Sequence, residues 1–158
     1  MEARFDYMKH SMAAYRSMAG LEHYLRESGL DQKIIHLIKL RVSQINGCAY
    51  CLDMHWKDLR GLGESELRLY ELGAWEETDL YTDKERAALK WAEVITRIAE
   101  THAPDEAYAE VRKQFSEKEV ADLTVAIATI NAWNRLAIAA RTEPGKYQPA
   151  RHELKQPA

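Results

Sequence analysis

The chain has 158 residues, 22 Lys and Arg against 25 Asp and Glu, and a formal net charge of −3. That balance offers no basic surplus for nucleic acid or an anionic membrane, and the length suits one domain, or one subunit of an oligomer, with a core of its own. Its two cysteines stand three apart and cannot staple distant parts of a fold, which excludes a secreted disulfide scaffold.

The N-terminus lacks the apolar core of a signal peptide, and no apolar run reads as a membrane span. A soluble, cytoplasmic protein is expected. Met8, Met12, Tyr15, Leu21, Tyr24 and Leu25 recur near helical spacing and predict a first helix over 8–27, closed by Gly29. Its methionines suit core or subunit-interface packing, or a binding groove. Asp31 then caps a strongly apolar helix carrying Ile34, Ile35, Leu37, Ile38, Leu40, Val42 and Ile45. Asn46-Gly47 ends it, because both residues tolerate a left-handed backbone.

A new helix therefore starts at about Cys48 and runs to Gly61 or Gly63. It holds Cys48 and Cys51 in its first turn, where backbone N–H groups and the helix dipole favour a thiolate. His55 lies one turn beyond Cys51 on the same face. A base beside an activated thiol points to redox chemistry. Further helices are expected over 65–72, with Gly73 as a stop, and over 82–100, behind a Thr82–Glu85 capping box. Two more follow: 105–115, opened by Pro104, and a nearly all-apolar helix to Arg141 behind Ser116–Glu119. The acidic pairs Asp105/Glu106 and Glu117/Glu119 are first-turn charges. The fold is predicted to be all-α, a single helical domain over 1–145 with a polar, loosely held tail over 146–158.

An offset of 85 residues lays the segment from Lys33 to Asn46 on the segment from Lys118 to Asn131. Helical periodicity or a duplication explains the match. If it is a duplication, Ala121, Trp133, Leu136 and Ala140 stand where His36, Cys48, Cys51 and His55 stand in the first copy. Those polar residues would then serve chemistry and not the fold. Asn131, Trp133, Asn134 and Arg135 can bury against the C-x-x-C helix or another subunit, with Arg135 pairing an acid there.

The strings L-I-K-L-R-V-S-Q-I-N-G-C-A-Y-C-x-x-x-H and A-I-A-T-I-N-A-W-N-R-L resemble the alkylhydroperoxidase AhpD-like, or carboxymuconolactone decarboxylase, family of all-helical proteins, over about residues 12–141. The resemblance implies an oligomeric antioxidant oxidoreductase. In it Cys51 attacks peroxide, Cys48 resolves the sulfenic acid to a redox-active disulfide, and His55 relays protons. It also implies a small hydroperoxide substrate, a lipoylated or thioredoxin-like dithiol reductant and no organic cofactor. The decarboxylases of the family lack paired cysteines, so their activity does not carry over.

Two positions depart from the peroxidase pattern. His36 stands where a relay glutamate is common, and Tyr50 where a histidine lies between the cysteines. On sequence, His36 leaves the relay without a permanent negative charge, and Tyr50 either supplies a hydroxyl or packs on the helix. His36 can equally be a hydrogen-bonded core histidine. Three other readings stay open. They are a general dithiol–disulfide oxidoreductase, a helical assembly protein with a vestigial thiol pair, and a Cys₂His₂ zinc site on His36, Cys48, Cys51 and His55.

Overall fold

The apolar residues of the segment before the cysteines occupy too wide an arc for a surface helix. In the computed structural model, which describes residues 2–149, they form α3 (Gln32–Asn46), with Ile34, Ile35, Leu37, Ile38, Leu40 and Val42 all buried. Burial of each such side chain contributes on the order of 1.5–3 kcal/mol relative to exposure. Asp31 caps α3 by accepting the Lys33 N–H at 2.8 Å, and Gly47 closes it with φ 70°. Packed around α3 are α4 (Ala49–Gly61), α6 (Asp83–Thr96) and α9 (Glu117–Ala140). Both predicted capping boxes form, Thr82 with Glu85 at the start of α6 and Ser116 with Glu119 at the start of α9. Every regular element among the described residues is helical, as the spacing predicts.

Several boundaries differ from expectation. The first predicted helix breaks at Ser11 (φ −135°, ψ 45°) into α1 (Tyr7–His10), capped by Asp6, and α2 (Met12–Glu27). The methionines do not enter the core: Met8 and Met12 are exposed, and Leu25 is the buried residue of α2. Gly73 does not stop the chain after α5 (Glu66–Glu71); a 3-10 segment continues over Leu72–Glu77, because Leu72 and Trp75 have core positions to fill. The predicted helix over 82–100 breaks at Arg97, leaving the short α7 (Ile98–Thr101) before α8 (Asp105–Arg112).

Glu93 and the buried polar groups of α9 are paired, as burial demands. Glu93 of α6 accepts from both Arg41 Nε and Trp75 Nε1 at 2.8 Å, tying α3 to the 3-10 segment. Burial would raise the Glu93 carboxyl, but these two donors outweigh it and hold it below the ordinary carboxylate range. Contrary to expectation, α9 has the length and apolar content of a membrane span. It packs against α2, α3, α4, α6 and α8, and its buried polar groups have partners: Asp122 with Lys118 and Tyr24, Asn134 with Ser43 and Asn46. These are the properties of a core helix.

Asn46 and Asn131, the pair matched by the 85-residue offset, touch: Asn46 Nδ2 donates to Asn131 Oδ1 at 3.0 Å. Asn46 ends its helix at Gly47, whereas Asn131 is followed by Ala132 and its helix runs on to Ala140. Alanine disfavours the left-handed backbone that a break would need.

Candidate functional site

The turn between α3 and α4 delivers the cysteines. Left-handed Gly47 lets Cys48 N–H return to Ser43 O at 3.0 Å, so the chain reverses within two residues and Cys48 becomes the N-cap of α4. Cys48 Sγ accepts the Cys51 N–H at 3.4 Å, so its sulfur replaces the usual capping oxygen. Both cysteines are free and buried. Cys51, and not Cys48, lines the main cavity.

One turn further, His55 is buried at 4% exposure. Its Nδ1 faces His36 Nδ1, contributed by α3, at 3.3 Å, with the ring planes inclined at 53°. Asp58, one turn beyond His55, brings Oδ2 to 3.5 Å from His36 Nδ1 and 3.6 Å from His55 Nδ1. Its other oxygen, Oδ1, accepts the Tyr147 hydroxyl at 2.7 Å. Burial lowers His55 below the ordinary histidine value, with the Asp58 contact opposing. Burial, then the neighbouring His55, lower His36 to about 4, against the pull of Asp58. The Asp58 carboxyl lies below its ordinary value, because the contacts of His55 and Tyr147 outweigh the upward push of burial. Burial and the bond to Asp58 raise the Tyr147 phenol. At neutral pH the arrangement is two neutral imidazoles beside a carboxylate.

The partners limit the tautomers. A carboxylate only accepts, and two protons cannot occupy the 3.3 Å gap between the Nδ1 atoms. A single proton on either Nδ1 meets two acceptors, the other Nδ1 and Asp58 Oδ2, and on His55 it leaves Nε2 bare. Nε2 is buried without a hydrogen-bond partner among the described residues. The thiol–imidazole hydrogen bond suggested by the Cys51–His55 spacing is therefore not made in this conformation.

These groups open on a cavity of about 770 Å³ between α2, α3, α4, α9 and the segments that flank the helices at either end. Its aromatic wall is Tyr7, Tyr15 and Trp133, with ring centroids 5.6–6.5 Å apart. Trp133 Nε1 donates to Glu22 Oε1 at 3.0 Å, and the other Glu22 oxygen pairs with the buried Lys39. Tyr50 lies on the cavity wall and packs against the core. Burial, reinforced by Tyr15, raises its phenol.

Cys51, His55, His36 and Tyr50 thus share one cavity, with Cys48 behind Cys51. The sequence reading missed Asp58, although its i+3 spacing from His55 on a helix is a usable signal. It also missed Tyr147, for which no local pattern exists. The tail was expected to be loose, but its described part is tied to α4. Gly145 N–H donates to Asp53 at 3.0 Å, and Lys57 Nζ donates to Gly145 O at 3.2 Å and Tyr147 O at 3.0 Å. The rest of that tail, residues 150–158, lies outside the described residues. The Cys₂His₂ set does not form: the metal-ligating groups that converge are His36, His55 and Asp58, without either cysteine. Asn134 buries against Ser43 and Asn46 of α3 and not against the C-x-x-C helix, Arg135 bonds to Asn131, and no acid pairs with it among the described residues.

Residues 10–94 match the model of the carboxymuconolactone decarboxylase family. The uncharacterized protein YdfG of Bacillus subtilis (strain 168) is 43% identical over 139 residues, spanning 88% of this chain and 95% of its own. A crystal structure from Agrobacterium tumefaciens, of a protein of unknown function suggested to be the antioxidant-defence protein AhpD, shares 45% identity with a TM-score of 0.89. That match covers 92% of this chain and 100% of the other. The debrominase Bmp8, solved with 2,3,4-tribromopyrrole, shares the fold at 17% identity and a TM-score of 0.75, over 88% of this chain and 74% of its own.

Proposed function

The chain belongs to the carboxymuconolactone decarboxylase family, with its AhpD-like fold, and from that premise we propose that it is a thiol-dependent hydroperoxide reductase. The observation that carries this reading is the placement of Cys51 on the same cavity as a histidine whose Nδ1 is backed by Asp58 and whose Nε2 is unpaired.

In this reading His55 Nε2 takes the Cys51 proton. The thiolate attacks the terminal peroxide oxygen, the O–O bond breaks, and the leaving alkoxide receives the proton from His55 as an alcohol. Cys51 is then a sulfenic acid. The Cys48 thiol displaces its hydroxyl as water to give the disulfide, and an external dithiol reduces that pair. The size and aromatic wall of the cavity favour an organic hydroperoxide over hydrogen peroxide alone. A cytoplasmic setting and a lipoylated or thioredoxin-like reductant belong to the same proposal.

Trapping with a sulfenic-acid reagent followed by mass spectrometry tests the roles. Cys48→Ser should accumulate adduct on Cys51 after one peroxide addition, and Cys51→Ser should show none on Cys48. Adduct on Cys48 in the Cys51→Ser protein would reverse the assignment.

A further inference from the structure

We propose that His36 Nδ1, His55 Nδ1 and Asp58 Oδ2 form a binding site for one divalent transition-metal ion of the zinc type, with a fourth position facing the cavity. The three donor atoms are separated by 3.3, 3.5 and 3.6 Å. Zinc bonds of about 2.1 Å put tetrahedral donors about 3.4 Å apart, whereas octahedral neighbours sit at about 3.0 Å. The observed triangle therefore matches one face of a tetrahedron. Two imidazoles and a carboxylate also suit zinc and its neighbours better than magnesium or calcium, which take oxygen ligands.

The surroundings support the site independently. Tyr147 holds the second Asp58 oxygen at 2.7 Å, the outer-shell contact that fixes a ligating carboxylate. At least one of the facing Nδ1 atoms must be bare, because two protons do not fit between them. All three residues line the cavity, so an ion has an entry path and room for water as its fourth ligand. Binding would displace to solvent the proton held between the two Nδ1 atoms and occupy the nitrogen through which Asp58 acts. The metal-loaded protein is therefore the silenced form of the relay, and removing the ion restores it. The site itself needs neither cysteine, so it does not depend on the peroxide reading.

The test is a titration of metal-free Cys48→Ser/Cys51→Ser protein with Co²⁺ alone, read by visible absorption and by proton release. One equivalent should bind with a four- or five-coordinate cobalt spectrum and no thiolate-to-cobalt charge-transfer band, and Zn²⁺ should displace it. His36→Gln or Asp58→Asn in that background should weaken binding at least a hundredfold, Tyr147→Phe about tenfold, and His23→Ala, at an exposed position of α2 outside the cavity, not at all. Absence of stoichiometric binding to the Cys48→Ser/Cys51→Ser protein, or binding that survives the His36→Gln/Asp58→Asn pair, would overturn the proposal. If the metal binds and peroxide reduction proves absent, the site stands and only the reductase reading fails.

Discussion

His36 and His55, nineteen residues apart and on different helices, face each other through their Nδ1 atoms at 3.3 Å, with the Asp58 carboxylate beside both. This contact joins α3 to α4 at the cavity. In the proposed relay, Asp58 of α4 would supply the negative charge that His36 of α3 lacks.

Asp58→Asn should therefore slow the first peroxide step by about ten- to a hundredfold, within the range for a positioned acid–base group. Asparagine keeps the shape but removes the charge that orients and polarises His55. Tyr147→Phe should have a smaller effect. Single-turnover peroxide reduction by the prereduced enzyme measures both, and an unchanged Asp58→Asn rate would remove Asp58 from the relay.

His36→Glu should give no gain in rate. On sequence alone the substitution would restore a charge, but here it places a second carboxylate beside Asp58. Like charges at that distance drive one of the pair to its protonated form. A tenfold faster first step in the His36→Glu protein would show that Asp58 does not fill the role.

Stability should fall on acidification. Burial and the neighbouring His55 hold His36 at about 4 in the folded protein, against about 6.5 when unfolded. Between those values the unfolded chain binds more protons, so stability is complete above pH 6.5 and declines as pH drops toward 4. Asp58 acts in the same direction, because its lowered folded value is also titrated on acidification. The His36 contribution is on the order of 2 kcal/mol, given that 24% of its side chain stays exposed. Urea unfolding at pH 7 and pH 4.5 should show this loss, reduced in His36→Gln. A flat profile would contradict it.

Self-association is expected from the exposed apolar residues Phe5, Met8, Met12 and Leu21 near the N-terminus, and Ile138 on α9. Light scattering should give a mass above one subunit at micromolar concentration, shifted toward monomer by Met12→Glu with Leu21→Glu. A monomeric wild-type protein would refute it.

The helices were legible because their signals are local: Asp31, Thr82 and Ser116 as caps, Gly47 as a stop, and apolar spacing between them. The breaks at Ser11 and Arg97 were not, since neither residue is a strong helix breaker and tertiary packing decides there. Cys48, Cys51 and His55 were readable as a motif on one helix. The Asp58–Tyr147 bond spans 89 residues and has no sequence signature, so sequence alone predicts a loose tail and an incomplete relay. Trp133 and Glu22 likewise meet only through the packing of α2 on α9.

Whether Cys51, served by His55 and Asp58, reduces hydroperoxides is measured by consumption of an organic hydroperoxide with dihydrolipoamide as reductant, with wild type, Cys51→Ser and Asp58→Asn run side by side. Thiol-dependent turnover is expected from wild type, none from Cys51→Ser, and a rate about ten- to a hundredfold lower from Asp58→Asn, the range for a relay group. Turnover that survives Cys51→Ser, or a fully reduced wild type that leaves peroxide untouched, would contradict that expectation.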